Sequence, residues 1–252
     1  MPRISVIICT YNREKFIERA IRSALAQSFS DFEIIVMDDA SSDNTEKIVR
    51  DLIQDNAKIK YFKNDTNLGI SKNRNKALNT AQGKYIAILD SDDFWIDNNK
   101  LRKQVDFLEN NLDYILIGSN IKIIDEKENF IKNTDFETED VEIRKKILKS
   151  NQIPHSSVMY KKDTVEKING YNERLSCDED LDLFLRLGRF GKMKNLKDIT
   201  TSYTKHSQSF SQERKIDMAW NHLTIVLKNF GKYPNWFTAM FWAKLRLLKS
   251  LL

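Results

Sequence analysis

Along the first part of the chain two hydrophobic patterns alternate. Ile4-Ser-Val-Ile-Ile-Cys9, Phe32-Glu-Ile-Ile-Val-Met37, Lys58-Ile-Lys-Tyr-Phe62 and Tyr85-Ile-Ala-Ile-Leu89 are short runs of aliphatic, β-branched and aromatic residues. Such runs suit strands, and the most apolar of them suit strands covered on both faces. Between them the apolar positions fall at helical spacing. Phe16, Ile17, Ala20, Ile21, Ala24 and Leu25 predict a helix over 13–27 with Asn12 as its cap. A second helix opens with the capping-box spacing of Asp43 and Glu46, and a third, polar one spans 71–80 and ends near Gly83. Strands alternating with single helices imply right-handed crossovers and a parallel sheet. The loops at 10–13, 38–43, 64–74 and 90–95 then follow the carboxyl ends of the strands and converge on one crevice.

Beyond that the alternation is less regular. The pattern predicts a helix over 101–110, a strand over 114–118, a hairpin or irregular pair over 121–136 and a charged helix over 141–150. A strand over 156–160, a helical turn over 163–168 and a helix over 181–190, entered through Asp178-Glu179-Asp180, come next. Two short strands near 193–204 lead into Lys205-His206-Ser207-Gln208-Ser209. The composition shifts near Gln212, after which helices are expected over 214–230 and 236–252.

The chain has 252 residues, 41% of them hydrophobic, enough for one good core. Its charge of +5 arises from 41 basic and 36 acidic residues, a slight preference for anionic partners that does not choose between nucleotides, phospholipid and nucleic acid, although no nucleic-acid partner is expected once the loops are considered. Cys9 and Cys177 lack metal-like spacing and suggest a reducing compartment. Met-Pro-Arg-Ile-Ser enters a strand pattern at once, so the expectation is a cytoplasmic protein without a secretory leader.

The strongest chemical feature is Asp90-Ser-Asp92-Asp93, where a buried-looking strand runs into three carboxylates. Oxygen ligands suit Mg²⁺ or Mn²⁺, which commonly hold phosphates through only one or two protein carboxylates. The competing account is a solvated turn with a helix cap. No His or Cys cluster accompanies these acids, which disfavours zinc.

These loops, in this order, resemble the inverting family 2 glycosyltransferases of the GT-A fold. The resemblance rests on Val6-Ile-Ile-Cys-Thr10-Tyr11-Asn12, Asp38-Asp39-Ala-Ser-Ser-Asp43, Asn67-Leu-Gly69-Ile-Ser71-Lys72-Asn73-Arg74-Asn75, Leu89-Asp90-Ser-Asp92-Asp93 and Glu179-Asp180, and covers roughly 3–212. It implies an α/β, Rossmann-like, mostly parallel sheet flanked by helices, with a nucleotide-sugar half over 1–118, an acceptor half over 119–212 and a helical extension over 213–252.

It further implies that Thr10, Tyr11, Asn12 and Arg13 meet the nucleotide and that Asp39 accepts a hydrogen bond from uracil. Asp38 and Asp43 remain turn and cap residues. Lys72, with Arg74 second, would approach the pyrophosphate or base. Asp90 and Ser91 would lie near the ribose, and Asp92 would hold Mn²⁺ or Mg²⁺, while Asp93 either caps the next turn or shares the ion. His206 would belong to a loop closing over the donor, with a phosphate or metal contact. Asp180 would be the base that takes the acceptor's proton, with Glu179 and His155 on the acceptor side. Considered without the other loops, Asp178, Glu179 and Asp180 would serve equally as acids favouring a helix N-terminus.

The processive relatives' Gln-x-x-Arg-Trp motif and transmembrane helices do not occur in the sequence, and no lectin module follows. One sugar per encounter is therefore expected, passed from a nucleoside diphosphate, UDP first, to a glycan or lipid-linked glycan of a bacterial surface polymer. A sugar-phosphate nucleotidyltransferase and a nucleotide-sugar-binding protein without turnover are the alternatives. The last predicted helix is acid-free and places Phe237, Phe241, Leu245, Leu248 and Leu252 on one face, with Lys244 obliged to snorkel. It fits an interfacial helix through 234–252 at the inner face of the membrane, or a helix packed on the core or on a second copy.

Overall fold

The computed structural model describes residues 1–206 and 215–251. The predicted Ser207-Gln208-Ser209 segment, the shift at Gln212, Arg214 and Leu252 lie outside the described residues. The first half alternates as β1 (Ile4–Thr10), α1 (Ile17–Leu25), β2 (Phe32–Asp38), α2 (Thr45–Gln54), β3 (Ile59–Lys63), α3 (Ile70–Thr80) and β4 (Tyr85–Ile88). After β5 (Phe94–Trp95) and α4 (Lys100–Asn110) come β6 (Tyr114–Asp125), β7 (Phe130–Asn133) and α5 (Asp140–Ile147). A 3₁₀ turn (His155–Ser157) precedes β8 (Met159–Lys161), α6 (Lys162–Lys167), α7 (Glu179–Leu187) and β9 (Lys192–Lys205). The helices α8 (Lys215–Lys228) and α9 (Trp236–Ser250) follow.

The strands form one sheet in the order β3-β2-β1-β4-β8-β6-β9-β5, with β7 on β6. Strands β1 to β4 are mutually parallel, so Thr10, Asp38 and the residues after Ile88 leave the sheet on one edge. Strands β5, β7 and β8 pair antiparallel, whereas the long β6–β9 pair is again parallel. The period of two explains the apolar runs. Ile4, Val6 and Ile8 enter the core under α1, α2 and α4, while Ile7 points to the opposite core with α3, α5 and α7. Because both faces are covered, both sets are mostly apolar; Ser5, the polar exception on the Ile7 face, is buried and donates to the buried Glu33 at 2.6 Å.

Three local expectations are corrected. Helix α1 begins at Ile17, since the Arg13 carbonyl accepts from both Phe16 N and Ile17 N and closes a turn first. Asn12 does not cap it; at φ 51° its Oδ1 accepts from Ser42 N, tying the first loop to the second. The capping box before α2 is not made, because Arg50 and Lys63 hold the Glu46 carboxylate while Asp43 accepts from Glu14 N and Thr45 N. The two strands expected near 193–204 are the single strand β9. A register shift against β6, from Ser119↔Leu196 to Asn120↔Ile199, absorbs the polar interruption at Lys197 and Asp198.

The C-terminal helices are not a separate body. Ile225, Val226, Ala239, Met240 and Ala243 are buried in the same core as α3, α5 and α7. On the opposite face, Lys100 is fully buried, its Nζ donating to Gln104 Oε1 at 2.7 Å and lying 4.3 Å over the Trp95 ring. Burial pushes this ammonium far below the ordinary lysine range. Between its folded pKa and its unfolded value the unfolded chain binds more protons, so raising the pH there favours the fold. We expect the unfolding free energy of Lys100→Met, measured by urea titration across pH 7 to 10, to lose an upward slope of at most about 1.4 kcal/mol per pH unit that the parent shows. Parallel curves for the two proteins would contradict this.

Candidate active site

The four loops expected to converge do so, around a cleft of about 1220 Å³ lined by Thr10 to Arg13, Asp39, Asn67 to Arg74, Asp90 to Asp93 and Glu173 to Asp180, among others. Thr10 is the last residue of β1; its Oγ1 is buried and has no hydrogen-bond partner among the described residues. Tyr11 is 45% exposed at the mouth. An orphaned hydroxyl beside an accessible ring leaves a polar and a stacking contact for a planar ligand.

Asp39 is buried and organises the third loop. Its Oδ1 accepts from Asn64 Nδ2 at 2.8 Å and Leu68 N at 2.9 Å, and its Oδ2 from Gly69 N at 2.9 Å. Gly69 sits at φ 85°, a conformation that leaves α3 free to start at Ile70 and that a side chain would strain. The register of α3 then separates the two cations. Lys72 faces solvent at the cleft rim, whereas Arg74 turns inward.

Arg74 Nη2 donates to Asp90 Oδ1 at 2.8 Å, and Nη1 is paired with Glu179 Oε1. The guanidinium lies 5.5 Å over Tyr171. Asp90 also meets His155 Nδ1, 3.1 Å from both of its oxygens, and accepts from Ser156 Oγ at 3.1 Å. Burial opposes its charge, but His155 and Arg74 win and hold the Asp90 carboxyl well below the usual carboxylate range. His155 does not stand free on the acceptor side: its Nε2 is 2.9 Å from the Tyr171 hydroxyl, so both ring nitrogens are engaged. With the carboxylate at Nδ1, that nitrogen carries a proton and donates to Asp90.

Ser91 is buried in the cleft wall. Asp92 and Asp93 have different surroundings. Asp92 Oδ2 is 2.8 Å from His206 Nε2 and 3.7 Å from Arg13 Nε, with 22% of its side chain exposed. His206 itself is buried and stacks on Phe16 at 5.1 Å. Asp93 is turned inward. Its Oδ1 accepts from Thr204 N at 2.9 Å and its Oδ2 is bonded by Ser156 Oγ, and burial with the nearby Asp92 charge raises its pKa well above the ordinary value. Arg19, which the sequence did not single out, pins this loop by donating to the Asp92 carbonyl at 3.0 Å and Thr204 Oγ1 at 2.8 Å.

No group of three His, Cys, Asp or Glu side chains able to hold a metal occurs among the described residues. The donor set still suits a hard divalent ion that takes most of its ligands from phosphate and water, since Asp92 offers a part-exposed carboxylate beside an imidazole.

In the same cleft, Asp180 stands on the first turn of α7. Its Oδ2 accepts from Asn151 Nδ2 at 3.0 Å and its Oδ1 from Leu181 N at 2.7 Å. Burial first and the Glu179 charge second raise its pKa. By sequence Asp178 is only one of three acids favouring a helix N-terminus; in the structure it sits at φ 56°. Burial and the neighbouring acids push it to about 7, and its Oδ2 is buried without a hydrogen-bond partner among the described residues. Its αL backbone, which Asp tolerates better than most residues, is no part of a helix-start pattern, so spacing alone gave no sign of it. Burial also pushes the Cys9 thiol up to about 12, so no thiolate chemistry belongs to this site.

The chain belongs to glycosyl transferase family 2, whose model matches residues 5–168, and it is a glycosyltransferase. An uncharacterized glycosyltransferase of Methanocaldococcus jannaschii is 38% identical over 190 residues, covering 73% of this chain; the chain spans 64% of that relative's length. An uncharacterized glycosyltransferase of Haemophilus influenzae is 32% identical over 241 residues, 92% of this chain and 88% of the relative. A GalNAc(5)-diNAcBac-PP-undecaprenol beta-1,3-glucosyltransferase of Campylobacter jejuni is 46% identical over 94 residues, 37% of this chain and 30% of its own. Among solved structures, S. aureus TarS 1-349 in complex with UDP-GlcNAc superposes with TM-score 0.71 at 22% identity, over 100% of this chain and 72% of that one. The Pyrobaculum calidifontis mannosyltransferase PcManGT in complex with GDP-Man and Mn²⁺ gives 0.71 at 18%, over 99% and 75%. Both likenesses bear on the fold alone, which is the expected GT-A arrangement.

The Arg74 pairs are the part of the site whose loss is easiest to read. Arg74→Met leaves Asp90 and Glu179 without their guanidinium, and we expect urea unfolding to register a loss of about 3–5 kcal/mol. A change below about 1 kcal/mol would make these pairs equivalent to exposed ones.

Proposed function

We propose that this enzyme transfers one sugar per encounter, with inversion, from a nucleoside diphosphate sugar, UDP first, to a hydroxyl of a glycan or lipid-linked glycan in surface-polymer synthesis. The observation that carries the reading is that one cleft holds acids of unlike state. Asp90 is held charged and Asp92 stands beside an imidazole. Asp180, in the same cleft, has a raised pKa. Domain-wise, 1–118 would supply the donor contacts and 119–212 the acceptor wall, with 213–252 as an appended helical pair.

In this reading Thr10, Tyr11, Asn12 and Arg13 flank the nucleotide and Asp39 takes a base N–H. Lys72 lies toward the diphosphate, and Arg74 supports Asp90 near the ribose, with Ser91 alongside. Mn²⁺ or Mg²⁺ bound at Asp92, with His206 beside it, would neutralise charge on the departing diphosphate. Asp93 serves this site by fastening the loop to Ser156 and Thr204. The acceptor oxygen attacks the anomeric carbon from the face opposite the leaving group. The bond from that carbon to the diphosphate oxygen breaks, and the hydroxyl proton passes to Asp180. Glu179 keeps that corner in place through Arg74. The UDP-GlcNAc complex of TarS, the Mn²⁺ complex of PcManGT and the undecaprenol-linked substrate in the Campylobacter relative's name support the donor, metal and acceptor classes respectively. Two free cysteines suit a reducing cytoplasm, and contact through 234–252 would bring the enzyme to the inner membrane face.

The test is nucleoside diphosphate release from a panel of UDP-, GDP-, TDP- and CMP-sugars, with Mn²⁺ and with chelator. We expect cleavage of one donor only with metal, and a loss of about 10²–10⁴ in Asp180→Asn. Pyrophosphate release from UTP and a sugar phosphate would instead identify a nucleotidyltransferase, and binding without turnover on any acceptor would remove the catalytic role.

The pH profile gives an independent check. Asp180 has to be ionised to act as a base, and a raised pKa places the ascending limb of kcat/KM above the ordinary carboxylate value of about 3.9. Glu179→Gln deletes the neighbouring charge that, after burial, raises Asp180, so the limb should move to lower pH. An unmoved limb would contradict Asp180 as the base.

A further inference from the structure

We infer that α8 and α9 together form a docking face for an anionic phospholipid bilayer, built so that the Asp180 corner of the cleft is held at the membrane surface. The inference rests on the reading above only for what the cleft then does. It extends the expected contact at 234–252 to a second helix and to a definite lipid charge.

Nine of the eighteen large apolar side chains that stay exposed among the described residues lie in 215–251. On α8, Ile216, Trp220 and Leu227 recur at helical spacing on one face. On α9, Phe237, Phe241 and Leu248 do the same, at 78%, 64% and 61% exposure. The rings of Phe230 and Phe237 meet at 6.4 Å where the two helices join, which makes the stripes neighbours there. The opposite faces, with Val226, Ala239 and Ala243, are already used in the core. Both helices are thus amphipathic in opposite senses at once, one side for the protein and one left over.

Charge selects what covers it. Of the chain's 41 basic and 36 acidic residues, six and one lie in 215–252, so the remainder has as many acids as bases and the whole surplus of +5 belongs to this segment. Lys244 lies among the apolar positions of α9 and Lys249 flanks them, where long stems can lie along hydrocarbon with their ammonium groups at the phosphates. A second copy on this face would bring two such positive surfaces together, whereas a bilayer of anionic lipid neutralises both. No helix among the described residues is long and apolar enough to cross a membrane, so the contact is with the surface.

The same helix is bolted to the cleft. Asn221 Nδ2 of α8 donates to the Cys177 carbonyl at 3.1 Å and lies 3.0 Å from its Sγ, one residue before Asp178, and Met218 lines the cleft itself. Docking therefore fixes the orientation of the corner that carries Asp180, which suits an acceptor whose hydroxyl is presented from a lipid.

The test is sedimentation of the full chain with phosphatidylcholine vesicles and with vesicles containing phosphatidylglycerol, without nucleotide sugar, alongside donor hydrolysis in solution. We expect binding to the anionic vesicles alone, weakened by salt. Lys244→Ala with Lys249→Ala should weaken it by more than about tenfold, at roughly 1 kcal/mol per cation. Phe237→Ser with Phe241→Ser should abolish it, with donor hydrolysis unchanged in both variants. No binding to anionic vesicles, equal binding to both kinds, or a dimer in solution that the Phe237 and Phe241 changes dissociate would overturn the inference. Because binding is read without substrate, failure of the docking face and failure of the transferase reading remain separate results.

Discussion

The cleft depends on where one guanidinium is buried. Arg74 leaves α3 and joins Asp90, at the end of β4, to Glu179, at the start of α7, so a single side chain fastens the first half of the chain to the second. Arg74 and Glu179 are each only 7% exposed, and a buried pair of this kind is strongly destabilised when one partner is removed. The clamp also divides labour among the acids. Asp90 is kept charged by His155 and Arg74, while Asp180, with no cation hydrogen-bonded to it among the described residues, is pushed the other way by burial and by Glu179. Opposite displacements of carboxylates in one cleft are how a fold obtains an anion for binding and a base for proton transfer from the same residue type.

Much of this was legible in the chain. Apolar runs buried on both faces reported the parallel strands, and placing each polar loop at a strand's carboxyl end was enough to bring 10–13, 64–74 and 90–95 together. What the sequence could not show depends on tertiary partners. Lys72 and Arg74 are two residues apart on one helix, and only the start of α3 at Ile70, set by Gly69 on Asp39, decides which faces the core. Asp92 and Asp93 are adjacent and chemically alike, yet the second is taken up by Thr204 and Ser156, residues remote in sequence. Asn12 had every property of a helix cap, but the neighbouring loop claimed its side chain. Asp178 looked like one more acid before a helix, and only its backbone turn and burial set it apart.

The C-terminal helices follow the same logic of shared surfaces. Their inward faces complete the core that α3, α5 and α7 begin, and Asn221 reaches the Cys177 backbone beside the acidic corner. The sequence offered membrane contact and core packing as alternatives for 236–252; the inward face packs on the core and the other face stays exposed.

The proposed reaction requires that this cleft bind a nucleoside diphosphate through a metal at Asp92. The decisive experiment is calorimetric titration of UDP into the protein, in Mn²⁺ and again in chelator. Saturable binding is expected in Mn²⁺, abolished or greatly weakened by chelator. Equal affinity in both solutions would contradict the metal bridge, and no binding of UDP, GDP or TDP in either would contradict the site itself.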